Sequence, residues 1–302
     1  MINFLVQKLI NFFPTEKIPK NKFIKFIFKL IYFLIRNILK GPFVIKTDFF
    51  KIHAYPQKQE SSSIYYRGFH EYSFLKIINN LYHRDSKIIF LDIGANVGNN
   101  TLSVANFYKN ICCYSFEPNP KYFIQLNKNI KLNNLNNVKT FDYCIGLDNT
   151  ESNFYIDLNN PGGSTLNKNN ITFHPTLKKP NLKNILVKEE SLDNFLKNVD
   201  LSKYQNFFIK IDVEGAELRV LQGANNFIKN FFPDMLLEIE EKNFIENSID
   251  KKLIELSNIG YSFYKNLKFK INIKEEINEL KSKVQQKKHF HLDFFITKRK
   301  NI

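Results

Sequence analysis

The sequence predicts a doubly wound α/β domain, with helices on both faces of a mostly parallel sheet. The first observation is an alternation of short apolar segments with helical ones, which is typical of parallel sheets. The second is an apolar run that ends at an acid and then turns through two glycines into a helix. The predicted strands cover residues 88–93, 111–117, 138–144, 152–155, 206–212, 235–240, 261–269 and 290–297.

Helices are predicted before the first of these strands and between the later ones. They cover residues 72–82, 99–107, 120–132, 192–198, 216–223 with an extension to 229, and 251–258. A chain of 302 residues with 43% hydrophobic and 24% charged residues is long enough to bury a large core. We therefore expect one α/β domain over residues 46–302, preceded by a separate segment, residues 1–45.

The net charge of +15 is concentrated at the two ends of the chain. Residues 1–45 carry eight basic residues and one acid, and residues 265–302 carry eleven and four. Residues 46–264 are nearly neutral, with 25 basic and 24 acidic residues. Because a nucleic-acid enzyme carries its positive field around the active cleft, no nucleic-acid partner is expected. The three cysteines form no disulfide framework, which indicates a reducing, cytoplasmic location.

Residues 21–40 predict a helix with a narrow basic stripe on a broad apolar surface. The stripe consists of Lys22, Lys25, Lys29, Arg36 and Lys40. The longest uncharged run has six residues, which is too short for a spanning helix. The pattern favours a helix that lies on an anionic membrane surface, peripheral to the inner face. The alternative is a helix packed on the catalytic domain or on a partner, with the lysine stems reaching outward.

The first motif is IIFLDIGANVGNN, residues 88–100, in which a buried strand ends at an acid before a glycine turn. Ligands of open α/β sheets bind at such strand ends, and Gly94 and Gly98 allow close backbone approach. A dinucleotide fingerprint would need G-x-G-x-x-G, whereas the spacing here is G-x-x-x-G. Asp92 would repel a phosphate but suits the ammonium of a methionine moiety. The motif favours S-adenosylmethionine over a dinucleotide.

The next two strands also end in acids. Glu117 stands in FEPNP, at the tip of the second strand, where a carboxylate can accept both hydroxyls of a ribose. The alternative is an ordinary acid at a helix start, stabilised by the helix dipole. The third predicted strand contains Asp142, which is expected near an adenine amino group; the alternative is a solvated position near the strand end.

The motif IKIDVEGAE, residues 209–217, places Asp212 at a strand end and Glu214 just beyond it. Two carboxylates at the mouth of a sheet indicate proton transfer, binding of a substrate hydroxyl, or binding of a cation. The alternative for Asp212 is a helix cap. His70 and His174 are alternative bases. Residues 160–165, NPGGST, predict a mobile loop that closes on the acceptor, or an ordinary surface turn.

In combination, DIGANVGNNTLSVA, FEPNP, SLDNFL and IKIDVEGAELRVLQGA resemble the FkbM family of S-adenosylmethionine-dependent methyltransferases over roughly residues 65–300. The resemblance implies a Rossmann-like class I methyltransferase sheet of seven strands. It implies a cofactor site lined by Asp92, Gly94, Asn96 and Gly98, with Glu117 on the ribose and Asp142 near the adenine. It also implies that Asp212 and Glu214 face the acceptor. We expect these two to be the catalytic residues, with Asp212 or Glu214 accepting the hydroxyl proton, directly or through water, or binding a cation that lowers the hydroxyl pKa.

The resemblance implies O-methylation of a hydroxyl on a glycan, a lipid-linked sugar or a secondary metabolite. Two other functions remain open at this point: an NAD-type oxidoreductase, and a non-catalytic membrane-associated protein that keeps the fold. No metal ligands are assigned, and a requirement for a divalent cation is left open. The partners expected are a small-molecule or glycan acceptor and an anionic membrane surface that binds residues 21–40.

We predict that deleting residues 1–45 reduces flotation of the chain with anionic liposomes, because the basic stripe is lost with them. The measurement compares the full chain with the truncated chain on vesicles rich in phosphatidylserine, with neutral vesicles as the control. Equal flotation of the two chains on the anionic vesicles would count against a membrane-surface role.

Overall fold

The computed structural model describes residues 42–47, 49–54, 72–168, 171, 180–245, 249–265 and 269–300 of the chain. The predicted helix at residues 21–40 lies outside these ranges, as do His70 and His174. The boundary between residues 45 and 46 stays a prediction, although the first strand already begins at Phe43. Among the described residues, no helix combines the length and apolar character that crossing a bilayer requires.

The strands of the described part are β1 (Phe43–Lys46), β2 (Lys51–Ala54), β3 (Ile88–Ile93), β4 (Ile111–Phe116), β5 (Val138–Phe141), β6 (Cys144–Gly146), β7 (Thr150–Asp157), β8 (Leu182–Ser191), β9 (Asn206–Ile211), β10 (Asp234–Glu240), β11 (Ser262–Lys265), β12 (Phe269–Ile271) and β13 (His291–Thr297). The helices are α1 (Tyr72–Leu81), α2 (Asn99–Phe107), α3 (Pro120–Leu132), α4 (Leu192–Leu196), α5 (Glu217–Gly223), α6 (Asn225–Phe231), α7 (Lys242–Ile245), α8 (Ile249–Asn258) and α9 (Ile273–Gln285).

Eight strands form the central sheet, in the order β12-β11-β13-β10-β9-β3-β4-β5. The five strands from β10 to β5 pair in parallel, while β13 runs antiparallel between β10 and β11. The chain moves outward from β3 to β5 and then returns to β9 on the other side of β3. The order therefore reverses between β3 and β9, where open α/β sheets bind their ligands.

The predicted fold class is confirmed, since the sheet is mostly parallel and carries helices on both faces. The count of seven strands is corrected to eight, because the chain turns back after β11 and adds the three-residue β12 at the sheet edge. All six residues of β3 are buried, as expected for a central parallel strand covered on both faces.

Two apolar clusters cover the two faces of the sheet. On one face, α4, α5, α6, α8 and α9 pack on odd-numbered residues of β3 and β9, such as Leu91 and Ile209. On the other face, α1 and α2 pack on Phe90, Phe208 and Phe295. This alternation follows from strand geometry, in which neighbouring side chains point to opposite faces. Apolar packing thus covers both faces of the strands that carry the site residues at their carboxyl ends.

A second sheet of three strands, in the order β6-β8-β7, stands beside the central one. The predicted strand at 138–144 divides here, because the chain leaves the central sheet after Phe141 and joins the second sheet at Cys144. Glu189 of β8 is fully buried and receives hydrogen bonds from the Arg219 guanidinium at 2.7 and 2.9 Å. This ion pair ties the second sheet to α5.

We predict that Arg219→Met lowers the free energy of unfolding by about 3 kcal/mol, because it leaves the buried Glu189 carboxylate without its cation. Partial exposure of Arg219 places the loss at the low end of the range for such pairs. Chemical denaturation measures the change. The matched control is Lys203→Met, which breaks an exposed pair with Asp200 and is expected to change stability by less than about 1 kcal/mol. Equal losses in both variants would contradict the argument.

Candidate active site

The turn after β3 is shaped by residues with positive φ. Gly94, Asn96 and Gly98 have φ of 85°, 53° and 96°. At Gly94, an added Cβ would lie 1.9 Å from the carbonyl oxygen of Asp212, so only glycine fits between the two strand ends. The amides of Gly94 and Ala95 donate to the Phe116 carbonyl at 3.1 and 2.9 Å. The turn therefore lies between the ends of β4 and β9.

Asp92 lies beneath this turn and is fully buried. Its Oδ2 accepts hydrogen bonds from the Thr101 amide at 3.1 Å and the Thr101 hydroxyl at 2.6 Å. Its Oδ1 has no hydrogen-bond partner in the part of the chain that the structure describes. Burial raises the pKa of Asp92, and the Lys210 ammonium acts against this rise. Asp92 thus supports the glycine turn from below, and its direct contact with a cofactor stays a prediction.

Glu117, which follows β4, is the best-defined carboxylate of the site. Its Oε2 accepts from the Asn96 amide and its Oε1 from the Asn119 amide, both at 2.8 Å. These bonds fix the carboxylate between the first turn and the start of α3. Burial raises the pKa of Glu117 to about 7, and the two backbone hydrogen bonds act against this rise.

A cavity of about 670 Å³, including its open mouth, lies at the carboxyl edge of the central sheet. Its lining includes Gly94 and Asn96 after β3, Glu117 after β4, and Asp212 and Glu214 after β9. The structure therefore brings five of the eight predicted site residues together. Asp92 and Gly98 lie behind the wall, and exposed Asp142 lies between β5 and β6, where its neighbour Tyr143 reaches the cavity instead.

Asp212, at the end of β9, is held by a lysine from its own strand. Lys210 Nζ lies 2.8 Å from Asp212 Oδ2, and the Lys210 side chain is almost completely buried. Burial alone would raise the pKa of Asp212, but the adjacent ammonium keeps it below its ordinary value. Asp212 is therefore ionised at neutral pH.

Glu214 differs from Asp212 in backbone and in protonation. It adopts a φ of 55°, which is uncommon for a residue other than glycine and turns the chain into α5. Its Oε2 lies 2.6 Å from Lys242 Nζ. Burial raises the pKa of Glu214 to about 7 despite this ammonium. A group with a pKa near the working pH is suited to accept a proton.

Several residues of the site are not predicted from the sequence. Lys242 bridges Glu214 and Glu240, and Tyr143 and Phe154 contribute rings to the cavity wall. A lone lysine or aromatic residue carries no spacing signal, so only the fold brings these side chains to the cavity. The loop predicted at residues 160–165 does reach it, since Pro161, Gly162 and Ser164 line the wall.

Comparison with known proteins agrees with this arrangement. Residues 92–263, more than half of the chain, match the family model described as the methyltransferase FkbM domain. A protein named Methyltransferase 1 from Beauveria bassiana (strain ARSEF 2860) is 26% identical over 204 residues, which cover 64% of this chain and 79% of that protein.

Similarity to solved structures is weak. The methyltransferase FkbM from Methylobacillus flagellatus KT has 17% identity and a TM-score of 0.41, over 69% of this chain and 51% of that one. The human methyltransferase 10 domain containing protein has 11% identity and a TM-score of 0.41, over 91% and 96%.

The family match leaves the NAD-type oxidoreductase and the non-catalytic protein without support. The family model matches residues 92–263, which include the strands around the cavity. The chain therefore belongs to the FkbM family and is a methyltransferase.

Proposed function

We propose that this methyltransferase moves the methyl group of S-adenosylmethionine to a hydroxyl oxygen of a glycan, a lipid-linked sugar or a secondary metabolite. One observation carries the proposal. Glu117 follows β4, and Asp212 and Glu214 follow β9 on the other side of β3, and all three residues line the cavity. The first is placed to bind a nucleoside, and the other two are placed to receive a hydroxyl and its proton.

The residues on the nucleoside side fit S-adenosylmethionine. Each Glu117 oxygen already accepts one backbone hydrogen bond and has capacity for another, which suits two ribose hydroxyls. Tyr143 and Phe154 offer flat apolar surface to a purine. The buried Asp92 below the turn disfavours a phosphate.

The carboxylates on the acceptor side can take up the proton that the attacking hydroxyl loses. Bound S-adenosylmethionine supplies a methyl group on a positively charged sulfur, so an attacking hydroxyl must lose its proton. Glu214, whose pKa is raised by burial to about 7, is the better base at neutral pH. Ionised Asp212 accepts a hydrogen bond from the hydroxyl and orients it. Holding the two reactants in line can contribute roughly 7–11 kcal/mol in favourable cases.

The preference for a hydroxylated acceptor has two supports. Carboxylates that line a cavity accept hydrogen bonds and donate none, so they match the hydroxyl donors of sugars and polyols. The FkbM resemblance implies the same class of acceptor.

We predict that the chain transfers labelled methyl groups from S-adenosylmethionine into a hydroxylated product of a fractionated cell extract, and that the product is an ether. Asp212→Asn and Glu214→Gln should each lower the initial rate by about 10²-fold, because the proton acceptor or its partner is lost. Both variants should retain cofactor binding, measured by calorimetry.

The matched control is Glu279→Gln, which changes an exposed carboxylate on α9 and should leave the rate unchanged. Near-normal rates in both active-site variants would contradict the assigned roles. A labelled amine or thiol product, rather than an ether, would contradict the acceptor class.

A further inference from the structure

The ends of β10 and β13 carry a group of potential metal ligands outside the cavity wall. In the antiparallel pairing of these strands, Glu240 lies opposite His291 and Glu238 lies opposite Asp293. Directly opposed residues, and residues two apart on a strand, share one face of a sheet. The register therefore brings two glutamates and an imidazole to one face, at the edge where the parallel strands end.

The donor atoms of this group lie close together. One ligand atom each from Glu238, Glu240 and His291 fall within 4.8 Å of one another. His291 Nε2 lies 3.1 Å from Glu238 Oε1, and His291 Nδ1 lies 3.3 Å from Glu240 Oε1. Because a metal ion binds one imidazole nitrogen, a small side-chain rotation must bring both carboxylates to that nitrogen, where ligands at about 2.0–2.2 Å from a first-row cation lie about 3 Å apart. Imidazole with carboxylates is a donor set that such cations accept.

Carboxyl groups are crowded at this edge of the sheet. Glu238 and Asp293 lie directly opposite one another, and burial raises the pKa of both carboxyl groups, with a further rise from the neighbouring Asp212 carboxylate. The lysine ion pairs nearby place Lys210 on Asp212 and Lys242 on both Glu214 and Glu240. Glu238 interacts with the Lys210 ammonium, with Asp212 and with the His291 imidazole, which carries a full charge only when it is protonated.

We propose that Glu238, Glu240 and His291 form a binding site for a divalent first-row metal cation such as Mn²⁺. The side chains of the two glutamates are partly buried. The His291 side chain is 58% exposed and is accessible to an incoming ion. Three protein ligands leave coordination positions open for water or for a substrate oxygen.

The site adjoins the acceptor side of the cavity. Glu238 is hydrogen-bonded to Asp212, which lines the cavity, and Glu240 shares Lys242 with Glu214. A cation here would orient an acceptor hydroxyl and ease loss of its proton. This role rests on the proposed function, whereas binding of the metal does not.

The test is a titration of the purified, chelator-treated chain with Mn²⁺ alone, in which free and bound ion are distinguished by electron paramagnetic resonance. We expect one tightly bound Mn²⁺ per chain. Glu238→Gln and His291→Gln should each weaken binding by more than about tenfold, since loss of even an outer-shell partner commonly has that effect. Circular dichroism melts verify that the variants are folded.

The matched control is His289→Gln, because His289 is an exposed imidazole that pairs with Glu241 at 2.5 Å outside the group. It should bind Mn²⁺ as the wild type does. Absence of bound Mn²⁺ in the wild type would overturn the site, as would binding that survives both substitutions or is lost equally in the control. Neither cofactor nor acceptor is present, so failure here is distinct from failure of methyl transfer.

Discussion

The accumulation of carboxylates at the carboxyl edge of one parallel sheet is the constraint on which the rest of the site depends. Because β3, β4, β9 and β10 run in the same direction, the acids at or just after their ends all meet there. Lys210 and Lys242 neutralise part of this charge, and Lys210 keeps Asp212 ionised. Burial of the others raises the pKa of Glu117 and of Glu214 to about 7.

This arrangement lowers stability. A carboxyl group whose pKa rises on folding, as that of Glu117 does from 4.5 to about 7, holds its proton more tightly in the folded state. Its contribution therefore falls as the pH climbs through this interval, and above it the ionised group costs about 3 kcal/mol. A cost of this size at a cavity wall is typical of groups retained for function rather than for folding.

The sequence predicts the strand-end acids and the glycine turn, because both belong to short strand-turn-helix segments whose residues are consecutive in the chain. Helix α9 is not predicted from the sequence, although Ile273, Ile277 and Leu280 have helical spacing. The many lysines and glutamates around them weaken the apolar periodicity. Strand β8 is similarly obscured, because only one of its first seven residues is buried.

The long-range parts of the site require the fold. His291 and Glu240 are 51 residues apart and meet only because β13 inserts antiparallel beside β10. The chain leaves the central sheet between Phe141 and Cys144, so Asp142 lies outside the cavity lining. No residue pattern in the sequence predicts this departure. Spacing along the sequence predicts which functional side chains belong to one strand-turn-helix unit. The register between distant strands determines which other residues those side chains face.

The central claim is that the edge binds a sulfonium nucleoside through the Glu117 carboxylate. Calorimetric titration of S-adenosylmethionine into the wild type and Glu117→Gln, between about pH 6 and pH 8, tests it most directly. The affinity of the wild type should rise as the pH passes through about 7 and then level off, because only the ionised carboxylate is a full acceptor. Glu117→Gln should bind roughly 10–100-fold more weakly, with little pH dependence. Absence of binding by the wild type, or an unchanged affinity and pH profile in the variant, would contradict the account.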